Sequence, residues 1–107
     1  MLQPLPIPER PWESVSMDFI TGLPISEGYM NIMVVVDRLT KYGVFVPAPK
    51  ELPAGHVAKL FMKHVAKYWG LPQSIVCDRD AHFTNRFWKE LFKLMESEIH
   101  MSTALHP

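Results

Sequence analysis

Two aspartates stand where such side chains are costly. Asp18 interrupts the alternating run Val15–Phe19, between Met17 and Phe19, although Asp is disfavoured inside strands. Asp78 closes the apolar run SIVCD at 74–78, and sheets with helical crossovers build ligand sites at strand carboxyl ends. If the two strands are neighbours, the carboxylates converge. Close carboxylates repel unless a cation lies between them. Mg²⁺ takes oxygen ligands, and a metal pair can activate a water or hydroxyl while stabilising the leaving oxygen of a phosphodiester. The competing reading is two unrelated local roles, a hydrogen bond at Asp18 and a turn at Asp78. Spacing alone leaves both open.

The elements that must position these residues follow from periodicity. Pro4, Pro6, Pro8 and Pro11 make residues 1–12 an extended, linker-like stretch ahead of a domain over 13–107. Val15, Met17 and Phe19 form one apolar strand face, and TGLPISEGY reads as a turn region. Asn31–Asp37 is a β-branched run suited to a strand covered on both faces. Val44–Val46 begins a third strand that Pro47 and Pro49 end. Pro53 suits the first turn of a helix carrying Val57, Leu60, Phe61, His64, Val65 and Tyr68, stopped by Gly70 and Pro72. After the SIVCD strand, Thr84 or Asn85 caps a second helix with Phe87, Trp88, Leu91, Phe92 and Met95 on its stripe. Glu98–Thr103 reads as a fifth strand. The expected order is β-β-β-α-β-α-β, an α/β mixed sheet with helices packed on it.

Bulk properties narrow the function classes. The 107 residues suffice for one modest core. Eleven Lys and Arg balance eleven Asp and Glu, so any grip on nucleic acid comes from local patches rather than an overall basic charge. Cys77, the only cysteine, leaves no internal disulfide and fits a reducing compartment. No apolar run approaches the roughly 18 residues of a membrane span. The start MLQPLPIPERPWE has no signal-peptide pattern. An intracellular protein is expected, with no membrane partner.

Other charged residues offer candidate contacts. Lys59, Lys63 and Lys67 recur every four residues on the polar face of the first helix. Such a stripe can hold a phosphate backbone, and it can equally be a solvated face. Arg86, Lys89 and Lys93 repeat the pattern, diluted by Glu90 and Glu96. Arg79 can reach DNA phosphate or pair locally with Asp80. Asp37 fits capping, or pairing with Arg38 or Lys41. The five histidines have no zinc-ligand spacing. Cys77 reads as a small apolar residue beside Asp78.

The segments PWESVSMDFITGLP, VVVDRLTKY, FMKHVAKYWGLP, SIVCDRDAHFTNRFWKELFKLM and STALHP occur in this order. Together they resemble the integrase catalytic core of gypsy-like (Ty3/gypsy) long-terminal-repeat retrotransposons, over about residues 4–107. The resemblance implies a ribonuclease-H-like fold, here missing its C-terminal helices, after a connector that follows a zinc-binding module. It implies DNA integration by metal-dependent polynucleotidyl transfer: trimming of 3′ ends, then strand transfer. Asp18 and Asp78 match the first two catalytic, metal-binding carboxylates, with Mg²⁺ (or Mn²⁺) as cofactor. The family's Glu follows the second Asp after 35 intervening residues, whereas 29 residues follow Asp78 here. Glu90, Glu96 and Glu98 lie too near to replace it. The parent protein is then expected to act on element ends and target DNA in the nucleus, as a homo-oligomer. Lys59, Lys63, Lys67, Arg79 and His106, the last in the family's HP motif, are the candidate DNA contacts. A chain lacking the third carboxylate is expected to be inactive alone. The alternative is a non-catalytic nucleic-acid-binding or protein-interaction relic of such a core. A ribonuclease-H-type nuclease shares the fold and metals, but the matching motifs are those of integrases.

Overall fold

The computed structural model describes residues 7–26, 28–49 and 53–105, the last four of these by backbone alone. Alternation sets the sheet. In β1 (Ser14–Ile25), Val15 and Met17 are fully buried while Asp18 and Ile20 are exposed. β2 (Gly28–Asp37) pairs antiparallel with β1, burying Met33, Val35 and Asp37 on the same side. β3 (Gly43–Ala48) continues the meander on the far edge of β2, where Pro47 costs no central ladder bond. β4 (Ser74–Cys77) lies parallel to β1, giving the order β3-β2-β1-β4.

A parallel pair requires a crossover. Here α1 (Ala54–Phe61), a π turn (Met62–Ala66) and α2 (Lys67–Trp69) supply it as one continuous helical rod. Pro53 is its N-cap, and Gly70 ends it at φ 82°, a left-handed conformation that glycine adopts without a Cβ penalty. α3 (Ala81–Leu105) then packs beside α1 on the same sheet face. Val57, Ala58, Phe61 and Val65 from the first rod meet Phe83, Phe87 and Leu91 from α3 in a core with Val15, Met17, Met33 and Val35. Phe61 and Phe87 meet edge to face at 5.6 Å. Each such ring contributes on the order of 2 kcal/mol by burial. Among the described residues no helix is long and apolar enough to cross a membrane.

Three expectations are corrected. Residues 98–103 are helix, not a fifth strand, so the described order is β-β-β-α-β-α. Neither Gly nor Pro occurs between Pro72 and Pro107, and Glu96 and Glu98 are good helix formers. Ile99 and Met101 are 57% and 66% exposed, so no packing pulls this segment into a sheet. The cap of α3 is Asp80 rather than Thr84 or Asn85: its Oδ1 accepts the Phe83 N–H at 2.8 Å. The TGLPISEGY segment is mostly strand. A register shift between Ile20 and Leu23, with Gly22 at φ 69°, makes a bulge that lets β1 run on to Ile25.

Trp12, the last residue of the proline-rich stretch, belongs to the packed core. Its ring is buried and stacks on Trp69 at 4.2 Å. Its N–H donates to Asp37 Oδ1 at 2.9 Å. Asp37, fully buried, also accepts from the Thr40 hydroxyl at 2.7 Å and the Thr40 and Leu39 amides. It therefore caps the β2–β3 turn, and the Arg38 guanidinium donates to Ser14 Oγ at 2.9 Å. Burial pushes the Asp37 carboxyl up, but the hydrogen bonds from Thr40, Trp12 and Leu39 outweigh it and leave the acid below its ordinary range.

A depressed folded-state acidity means that the unfolded chain binds the proton more readily. The stability due to Asp37 is present above the unfolded carboxylate range, near pH 4, and is lost as pH falls through the folded value. Asp37→Ala should cost about 3 kcal/mol by orphaning buried donors, read from urea unfolding at pH 7. Asp37→Asn should flatten this acid-side dependence. An unchanged pH profile would contradict the assignment.

Candidate metal and nucleic-acid site

The parallel ladder pairs Ser14 with Ser74 and ends with Met17 opposite Cys77. Asp18 and Asp78 are the next residue on each chain. Neighbouring strands lie about 4.8 Å apart, so Asp18, within β1, and Asp78, just past the end of β4, follow the last ladder pair at the same height. Both are exposed. Side-chain alternation also puts them on one face. Met17 and Cys77 pack toward the helices, as do Phe19 and Arg79 on the other side of each aspartate. Asp18 and Asp78 are left facing outward together. The two acids, 60 positions apart, come together because β4 returns alongside β1.

Cys77 feels both acids. Burial pushes its thiol up; the Arg79 amide opposes this, the Asp78 charge adds to it, the Arg79 charge opposes it and the Asp18 charge adds again. A half-buried thiol packed toward the helices, with its acidity weakened, is a poor nucleophile. The donors that remain are hard oxygens. Two exposed carboxylates suit Mg²⁺ or Mn²⁺, which keep several waters and bind through one or two protein carboxylates plus substrate phosphates. Among the described residues no third His, Cys, Asp or Glu joins them in a metal-holding group. Glu90, Glu96 and Glu98 are spread along α3, and Glu90 lies against Gly55 of α1 instead.

The candidate DNA contacts separate into two groups. Lys59 and Arg79 border one polar cleft between the first turns of α1 and α3, together with His56, His82 and Arg86 and the acids Asp80 and Glu90. Lys63 and Lys67 lie farther along the rod, over a more apolar groove floored by Met62, Ala66, Leu94 and Met95; Lys59 borders both. His106 lies outside the described residues. Periodicity could not make this division, because it needs the position of α3 beside α1. It also missed Phe19 and Phe83, whose rings meet edge to face at 6.3 Å directly behind the carboxylates. The only sequence signal for them is adjacency: Phe19 follows Asp18, and Phe83 opens α3.

Comparison with known proteins places the chain in a family. Residues 8–107 match the family described as Integrase core domain. Over 89 residues, 83% of this chain, it is 49% identical to the Transposon Tf2-3, Tf2-4 and Tf2-12 polyproteins of Schizosaccharomyces pombe. The chain spans 7% of the length of each of these polyproteins. A four-stranded mixed sheet with helices is consistent with the ribonuclease-H-like architecture of such cores. The family binds DNA and typically uses a divalent metal. On sequence and fold together, the chain belongs to the integrase core domain family, in the branch of the Ty3/gypsy retrotransposon polyproteins.

Proposed function

We propose that Asp18 and Asp78 are two of the metal-binding carboxylates of a DNA-joining core that trims 3′ ends and transfers the exposed 3′-hydroxyl to a target phosphodiester. The observation that supports this reading is the β1–β4 register, whose last pair, Met17 opposite Cys77, immediately precedes both acids. A bound Mg²⁺ or Mn²⁺ supplies Lewis acidity for the phosphodiester and its attacking oxygen. The chain's own part is placement. Asp18 and Asp78 present their charge on an open edge rather than in a pocket, which admits a long polymer such as duplex DNA. Placement and charge neutralisation supply most of the rate in such transfers, so a site with two of three carboxylates should be severely impaired. The 107-residue polypeptide should therefore give no strand-transfer product from a labelled 3′-end duplex with Mn²⁺. Robust metal-dependent joining would overturn this. Asp18→Asn and Asp78→Asn should each weaken Mn²⁺ binding about tenfold or more while leaving the unfolding midpoint almost unmoved, since both positions are exposed.

Lys59, which borders the same polar cleft as Arg79, the residue after Asp78, is our choice for a phosphate contact. Lys59→Ala should lower the slope of log affinity against log salt by about one, measured by duplex-DNA anisotropy. Lys67→Ala should leave the slope nearly unchanged. Equal slopes for all three proteins would remove Lys59 from the interface.

A second reading, a non-catalytic relic that binds other proteins, draws on the sheet's outer face. Ile20 is 43% and Phe45 66% exposed there, next to half-buried Ile32, Val34 and Val36. Contiguous apolar surface of this kind marks association sites. The isolated chain should self-associate in sedimentation velocity, and Phe45→Lys with Ile20→Lys should reduce that association. A monodisperse monomer with a cooperative melt would count against it.

A further inference from the structure

Two like charges on adjacent chain segments push each other apart, and β4 is a four-residue strand with one neighbour among the described residues. Something must hold these ends at a fixed spacing before a cation arrives. The residues that directly follow the two acids are joined on the helix side of the sheet. The Arg79 guanidinium lies over the Phe83 ring at 3.9 Å and 5.8 Å from the Phe19 ring centre. Phe19 and Phe83 complete the triangle at 6.3 Å and 88°. Phe83 is 6% exposed and anchored in the core, and its amide is held by Asp80 Oδ1. Arg79 is tied to Asp78 and Phe19 to Asp18 by a single peptide bond each. Movement of either carboxylate along its strand or away from its partner must pull a ring or the guanidinium out of this contact.

We propose that Arg79, Phe19 and Phe83 form a positioning clamp that sets the separation of the Asp18 and Asp78 carboxylates for a divalent cation. This rests on the reading of that pair as metal ligands. Arg is suited to the task because its planar cation stacks on one ring while its edge donors stay free. A cation beside two acids would ordinarily compete with a metal. Stacking keeps it on the opposite side of the strand ends.

The test is a Mn²⁺ titration of the 107-residue chain, following the free-ion signal by electron paramagnetic resonance, with folding checked by circular dichroism. Phe83→Leu keeps every charge and an apolar side chain but removes the ring. Arg79→Gln removes cation and stack together. A clamp requires both variants to raise the half-saturating Mn²⁺ concentration, by about tenfold, the lower range for loss of a group behind a metal ligand. The double variant should be no worse than the weaker-binding single one, since the parts act as a unit. If Arg79 is only a competing charge, Arg79→Gln binds Mn²⁺ more tightly and Phe83→Leu is unchanged, which overturns the clamp. Asp18→Asn and Asp78→Asn separate the two levels. If these do not weaken Mn²⁺ binding, the metal reading itself fails. If they do while Phe83→Leu and Arg79→Gln leave affinity unchanged, the clamp alone fails.

Discussion

Pairing of β4 alongside β1, four residues in parallel register, is the constraint on which the site depends. A shift of one residue would turn one aspartate toward the helices and leave the other outside, because side chains alternate with period two. The register is held at both ends. At the start, Ser74 Oγ donates to Ser14 Oγ at 2.8 Å and the Gln73 amide donates to the Glu13 carbonyl at 2.8 Å. At the far end, the Phe19–Arg79–Phe83 contact lies one residue beyond the carboxylates. Between them Val15 and Met17 are fully buried and Ile75 and Cys77 pack against the same core.

The rest of the fold supports that pairing from a distance. The helical rod from Ala54 to Trp69 is the crossover that makes a parallel return possible, and its final aromatic, Trp69, stacks on Trp12 just before β1 begins. Trp12 in turn is held by Asp37 at the end of β2. A single buried carboxylate thus ties together the entry to β1, the end of β2 and the turn into β3. This also separates the roles of the acids. Asp37 is buried and satisfied by donors of the chain itself, which makes it structural. Asp18 and Asp78 are exposed, as the proposed role toward an external cation requires.

Much of this was legible in the residues. Alternation in Val15–Phe19, the β-branched run 31–37 and the Pro53-to-Gly70 helix are signals of local physics, and each element formed near its expected place. The misses have a common origin. Glu98–Thr103 read as a strand, but helix propensity and the absence of a breaker prevailed. At Gly22 the turn residues made a bulge, because β2 was long enough to keep pairing with the continuing strand. Asp80 displaced Thr84 and Asn85 as cap because the loop after β4 delivers its carboxylate onto the Phe83 amide.

What the residues alone determined was membership and inventory: consecutive motifs, two acids in strand contexts, and no zinc-ligand or disulfide pattern. Only the tertiary structure decided that the β1–β4 ladder ends just before Asp18 and Asp78, that Lys59 shares a cleft with Arg79 while Lys67 does not, and that Phe19, Arg79 and Phe83 meet. Periodicity reports which way a side chain points from its own strand or helix. Which strand lies next to it, and in what register, is set by packing among residues sixty positions apart, and no local pattern carries that information.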